Sequence, residues 1–95
     1  MNTYDYTEAM SALHSAFLDN NLTNDFWELV NCLDNKLVCH FNEQLMYYRC
    51  LEGKDFITIQ GINNWYRTNK KITAKQKQLS VIAQLQFWNI LETYN

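Results

Sequence analysis

With 95 residues, of which 47% are hydrophobic and 15% aromatic, the chain can fill one packed core but not two, so a single domain over 1–95 is expected. Only 19% of the residues are charged and the net charge is −2, which excludes a disordered polyelectrolyte and a uniformly basic nucleic-acid coat. No apolar run is long enough to span a bilayer, and the start of the chain lacks the basic and apolar stretches of a signal peptide. Three cysteines without paired spacing fit reduced thiols, so a cytoplasmic protein is expected.

Proline is absent, although average usage of about 5% would place about five in such a chain, and the only glycines are Gly53 and Gly61. Nothing therefore breaks a helix from within, and an all-α bundle of four to five helices is expected. Twelve asparagines supply punctuation, although an excess of Asn, Lys, Ile and Tyr can also reflect coding bias.

In chain order, Tyr6, Met10, Leu13 and Phe17 recur at helical spacing between Thr3 and Asn20 and define a first helix, flanked by Ala9, Ala12 and Ala16. Thr23 or Asn24 offers a side-chain oxygen to the start of a second, whose stripe is Phe26, Val30, Leu33 and Leu37. Asp34-Asn35 marks a bend, with a continuous helix as the alternative. A third helix runs from about Lys36 to Glu52 along Leu37, Phe41, Leu45, Tyr48 and Leu51, and Gly53 is expected to end it in left-handed backbone.

The β-branched stretch Asp55–Gly61 has no second strand to pair with, so it reads as a connection into a short fourth helix from Ile62 to Thr68. Thr73 and Gln76 then form a capping box, a reciprocal pair of side-chain to backbone hydrogen bonds that starts the last helix. Leu79, Ile82, Ala83, Phe87, Ile90, Leu91 and Tyr94 form one apolar stripe on it, and Val81, Leu85 and Trp88 a second. A helix apolar around most of its circumference is central or faces a partner.

Charge is unevenly placed. Before Phe56, nine carboxylates face only Lys36, Arg49 and Lys54, a net of −6; from there on Arg67, Lys70, Lys71, Lys75 and Lys77 face only Glu92, a net of +4. Lys75 and Lys77 lie in the first turns of the last helix, where cations oppose the macrodipole at about 0.3–1 kcal/mol each. The ordinary account is a solvated patch. The functional account is an anion site built from Arg67, Lys70, Lys71, Thr73, Lys75, Lys77 and the free amides of the helix start, serving nucleic acid or an acidic protein surface. Trp65 and Tyr66 would add stacking area, although at helical spacing with Ile62 they also suit a core.

Catalytic signatures are missing from the sequence. Cys32 and Cys39 are seven apart, with His40 beside the second, but closely spaced ligand pairs are lacking, so neither a metal nor another cofactor is expected. Glu28, Glu43 and Glu52 form no recognisable acid–base pair, and no enzyme activity is expected. Tyr4, Asp5, Tyr6, Glu8, Asp25, Trp27 and Glu28 compose a second candidate surface, acidic and aromatic, and Tyr47 is a further candidate anchor; Tyr and Trp are enriched at interfaces.

Trp65-Tyr66 followed by Ile72-Thr73-Ala74-Lys75-Gln76 resembles a pattern in small helical proteins carried by bacteriophages and other mobile elements. That resemblance implies an accessory or inhibitor in a bacterial host cell that occupies a host protein or nucleoprotein complex, as anti-CRISPR proteins do. The expected function is thus protein binding without catalysis. The alternative is a nucleic-acid-binding accessory protein using the basic segment 67–77; a structural homo-oligomer is a third class.

Overall fold

Caps and corners divide the chain into five helices. The computed structural model describes residues 2–94, the side chains of Thr93 and Tyr94 excepted. It contains α1 (Thr3–Leu18), α2 (Asn24–Cys32), α3 (Asn35–Tyr47), α4 (Gly53–Asn69) and α5 (Ala74–Tyr94), with no strand among the described residues. The side chain of Tyr94, expected on the apolar stripe of the last helix, lies outside this description.

Asn2 caps α1 by accepting the Asp5 amide at 2.9 Å. Asp34 caps α3 by accepting the amides of Lys36 and Leu37 at 2.8 and 3.2 Å, so the expected bend is a break between two helices. Thr23 occupies the cap of α2 but makes no side-chain bond there. The Thr73–Gln76 box closes in both directions, at 2.9 and 3.1 Å.

At the other ends, left-handed residues turn the chain. Asn20 (φ 54°) follows α1 and Arg49 (φ 56°) follows α3, each flanked by a long reverse bond, from the Asn21 amide to the Ala16 carbonyl (2.8 Å) and from the Cys50 amide to the Leu45 carbonyl (2.9 Å). Lys70 (φ 60°) ends α4.

Two expectations change. The left-handed terminator of α3 is Arg49 rather than Gly53, and Gly53, at φ +59°, opens α4 instead. The stretch 55–61 is helical, making α4 a 17-residue element and not a short helix after a connection. Local β-branched preference amounts to a few tenths of a kcal/mol per residue. It is outweighed because Ile59, Ile62 and Asn63 bury one helical face against α3 and α5.

Helix α5 packs against all four other helices. The core around it comprises Tyr6, Met10 and Leu13 of α1, Phe26, Val30 and Leu33 at α2, Val38 and Cys39 of α3, Ile59 and Ile62 of α4, and Val81 and Leu85 of α5. The inward line of α5 runs through Lys77, Ser80, Val81, Gln84 and Leu85. The second expected stripe is therefore the inner one, whereas Leu79, Ile90 and Leu91 of the first are exposed.

Polar side chains on that line join a buried network. The Tyr6 hydroxyl donates to Gln84 Oε1 at 2.6 Å; Gln84 Nε2 donates to the Val38 carbonyl and to Asn42 Oδ1, both at 3.1 Å. Asn42 Nδ2 donates to Asn63 Oδ1 at 3.2 Å and to Ser80 Oγ at 2.8 Å. Asn63 Nδ2 donates to the Cys39 carbonyl at 3.0 Å, and the Ser80 hydroxyl to the Gln76 carbonyl at 2.9 Å. Helices α1, α3, α4 and α5 are thus tied through one set of amides. Removing Asn42 takes one hydrogen bond each from Asn63, Ser80 and Gln84 in the buried interior. Asn42→Ala is expected to lower the unfolding free energy in urea by about 2–4 kcal/mol, against about 0.5 kcal/mol or less for Asn64→Ala on the exposed side of α4.

Candidate functional site

The basic segment folds into the corner between α4 and α5. Arg67, Lys70, Lys71 and Lys75 are exposed there, and Arg67 Nη1 reaches Asn64 Oδ1 at 3.5 Å along α4. The capping box occupies the Thr73 hydroxyl oxygen together with the Thr73 and Gln76 amides, so an anion at this helix start would find those groups engaged.

Lys77 does not belong to that surface. It is 9% exposed, and its Nζ donates to the carbonyls of Asn31 (3.0 Å) and Leu33 (2.7 Å). Helix α2 has no basic residue in its last turn, and its C-cap Leu33 is extended, so its terminal carbonyls need a donor from elsewhere. Lys77 supplies it across 44 residues of sequence. Its unfavourable position at the start of α5 is the counterpart of a favourable one at the negative end of α2. Burial lowers its pKa below the ordinary lysine value, and the nearby Cys32, Asp34 and Cys39 act in the opposite sense. Lys77→Met is expected to cost about 1–3 kcal/mol in thermal or urea unfolding, while Lys70→Met, Lys71→Met and Lys75→Met each stay within about 0.5 kcal/mol.

The acidic and aromatic set divides between two helices. Tyr4, Asp5 and Glu8 are exposed on α1, and Asp25 and Glu28 on α2. Trp27 is half-buried, edge-on to Phe26 with ring centroids 4.8 Å apart. Tyr6 is removed from the surface: at 1% exposure it stacks on Phe41, 4.8 Å between centroids, and burial raises its pKa, outweighing the bond to Gln84. Tyr47 (78% exposed) and Tyr48 meet edge to face at 5.0 Å where α3 ends.

A further feature was not singled out in the sequence. An open, apolar groove of about 300 Å³ runs between α1, α3 and α5. Thr7 and Met10 form one wall, Phe87, Trp88 and Leu91 another, and Phe41 and Leu45 the third, with Tyr6 and Gln84 also lining it. It adjoins a second depression of similar volume lined by Tyr4, Thr7, Glu8, Ser11 and Trp88. Trp88 is held at both faces of its position: its ring stacks on His14 at 5.0 Å and 1°, and its Nε1–H donates to Glu92 Oε1 at 3.0 Å. The sequence signal for this groove was the apolar circumference of α5, which exceeds what the other helices cover.

The remaining chemistry is sparse. His14 Nε2 is buried without a hydrogen-bond partner, and His40 is exposed, edge-on to Phe41 at 5.3 Å. No group of three or more His, Cys, Asp or Glu side chains suited to a metal ion occurs among the described residues, and no helix there is long and apolar enough to cross a membrane. The break between α2 and α3 separates the two nearest cysteines: Cys32 is exposed, Cys39 buried. Burial, with Glu43 adding to it, pushes the Cys39 thiol up to about 11, and burial also raises Cys50. Since the thiolate is the reactive form, alkylation of the folded protein at pH 8, followed by mass spectrometry, is expected to modify Cys32 first and Cys39 last; denaturation should abolish that order.

Comparison with protein-family models, with curated proteins and with solved structures returns no match. Functional assignment therefore rests on the geometry of these surfaces.

Proposed function

We propose that the protein is a binding module without catalysis, acting by covering part of a protein partner. The observation that carries this reading is the contrast between inside and outside. Tyr6, Asn42, Asn63, Ser80, Gln84 and Lys77 all serve the fold's own hydrogen bonds, while large apolar side chains such as Tyr4 (74%), Tyr47, Tyr48, Ile57 and Trp65 stand in solvent. Tyr and Trp give interfaces much of their binding energy, through large contact area at low entropic cost. The resemblance to phage-borne accessory proteins supports a role as an inhibitor of a host defence or nucleic-acid-processing complex in the bacterial cytoplasm, anti-CRISPR-like in operation.

The second reading is a nucleic-acid accessory protein, favoured by the exposure of Arg67, Lys70, Lys71 and Lys75 at one corner. Salt and nuclease separate the two. On the first reading, tagged protein retains a specific partner from bacterial lysate after nuclease treatment. Tyr47→Ala with Trp65→Ala weakens that binding at least about tenfold, and Lys70→Glu with Lys71→Glu leaves it intact. On the second, retention disappears with nuclease, affinity for nucleic acid falls steeply with salt, and the lysine reversals abolish it.

A further inference from the structure

We propose that the groove between α1, α3 and α5 is the seat of a basic amphipathic helix from the partner, which lays its apolar side in the groove and its lysines or arginines against the acidic rim. This identifies the chemistry of the partner and rests on the binding-module reading above.

The shape is the first support. Lining residues recur at helical spacing on two walls of the groove, Thr7 and Met10 on α1 and Gln84, Phe87, Trp88 and Leu91 on α5, and Tyr4, Glu8 and Ser11 line the adjoining depression, which shares Thr7 and Trp88 with it. Two helices that leave a trough between them present the form into which a third helix packs by its i, i+3, i+4 and i+7 side chains. The floor asks for apolar contact, because its main polar groups, the Tyr6 hydroxyl and the Gln84 amide, are bonded to each other and to α3.

Charge decides the occupant. Glu8 lines the continuation of the groove, and the Glu92 carboxylate is held against the rim by the Trp88 indole. No lysine or arginine lines either depression, and neither α1 nor α5 beyond Lys77 carries one anywhere. An acidic helix would be repelled there, and a second copy placing its own α1 or the outer half of α5 in the groove would set carboxylates against carboxylates. A cationic helix meets opposite charge at Glu8 and Glu92.

The test uses the full-length protein and an amphipathic leucine–lysine peptide of about fifteen residues. Controls are an isomer of scrambled order and an analogue with glutamate replacing lysine, all followed by backbone and indole NMR shifts. Saturable shifts are expected at Thr7, Leu45 and the Trp88 indole, with both controls at least about tenfold weaker and Glu8→Lys with Glu92→Lys reducing affinity by about tenfold while the circular dichroism stays unchanged. Shifts elsewhere, equal binding of the scrambled isomer, or the same shifts accompanied by a dimeric mass would overturn the proposal. A partner retained from lysate that is indifferent to the Glu8 and Glu92 reversals, yet lost with the Tyr47 and Trp65 changes, also overturns the groove proposal while leaving the binding-module reading standing. Nuclease-sensitive retention alone removes the reading on which it rests.

Discussion

The hydrogen-bonded cluster around Asn42 constrains everything else in this molecule. Apolar contacts are non-directional, so a helix as apolar around its circumference as α5 could rotate or slide in a purely hydrophobic bundle at modest cost. The amides favour the register in which they pair. Asn42 must face Ser80 and Gln84 at the same time as Asn63, and Gln84 must reach both α3 and the Tyr6 hydroxyl. A shift of α5 by one turn, about 5.4 Å, would break several of these bonds and leave their partners in a dry interior, which costs more than the bonds contribute when made. Specificity of arrangement is the best-attested use of polar groups in a core.

That placement also explains how the outer surfaces arise. With Lys77, Ser80 and Gln84 turned inward, part of the apolar side of α5 is displaced outward, and Phe87 and Leu91 become groove walls, while Trp88 both packs against the core and lines the groove. The polar interior and the apolar exterior are two views of one orientation. Electrostatics follow a similar division. Withdrawing Lys77 reduces the basic segment to a four-residue corner, whereas the carboxylates of α1 and α2 stay exposed, so the acidic character legible in the first half survives folding better than the basic character of the second.

What could be read from the sequence was whatever depends on neighbours three or four residues away. The Thr73–Gln76 box, the break at Asp34 and the helical periodicity of the first two elements are local and appear in the structure; the third helix stops at Tyr47, short of the expected Glu52, and buries Val38, Cys39, Asn42 and Leu45, leaving Tyr48 exposed and Leu51 outside it. What could not be read depends on distant partners. The helicity of 55–61 follows from burying Ile59, with Ile62 on the next turn, against neighbouring helices, which outweighs the local β-branched preference. Lys77 looked like a surface cation because the carbonyls it caps lie on another helix. The asparagines read as compositional excess include the two at the centre of the core. Tyr6, assigned both to an apolar stripe and to a candidate surface, belongs to the first alone.

The corners after α1, α3 and α4 turn on Asn20, Arg49 and Lys70 in left-handed backbone, which costs Arg and Lys roughly 1–2 kcal/mol and Asn less. At two of these corners the side chain is a cation just beyond a carbonyl-rich helix end, which recovers roughly 0.3–1 kcal/mol. At the Arg49 and Lys70 corners the two terms therefore oppose and partly offset one another. Replacing Arg49 or Lys70 alters backbone ease and end-charge together, and the outcome is the difference between them.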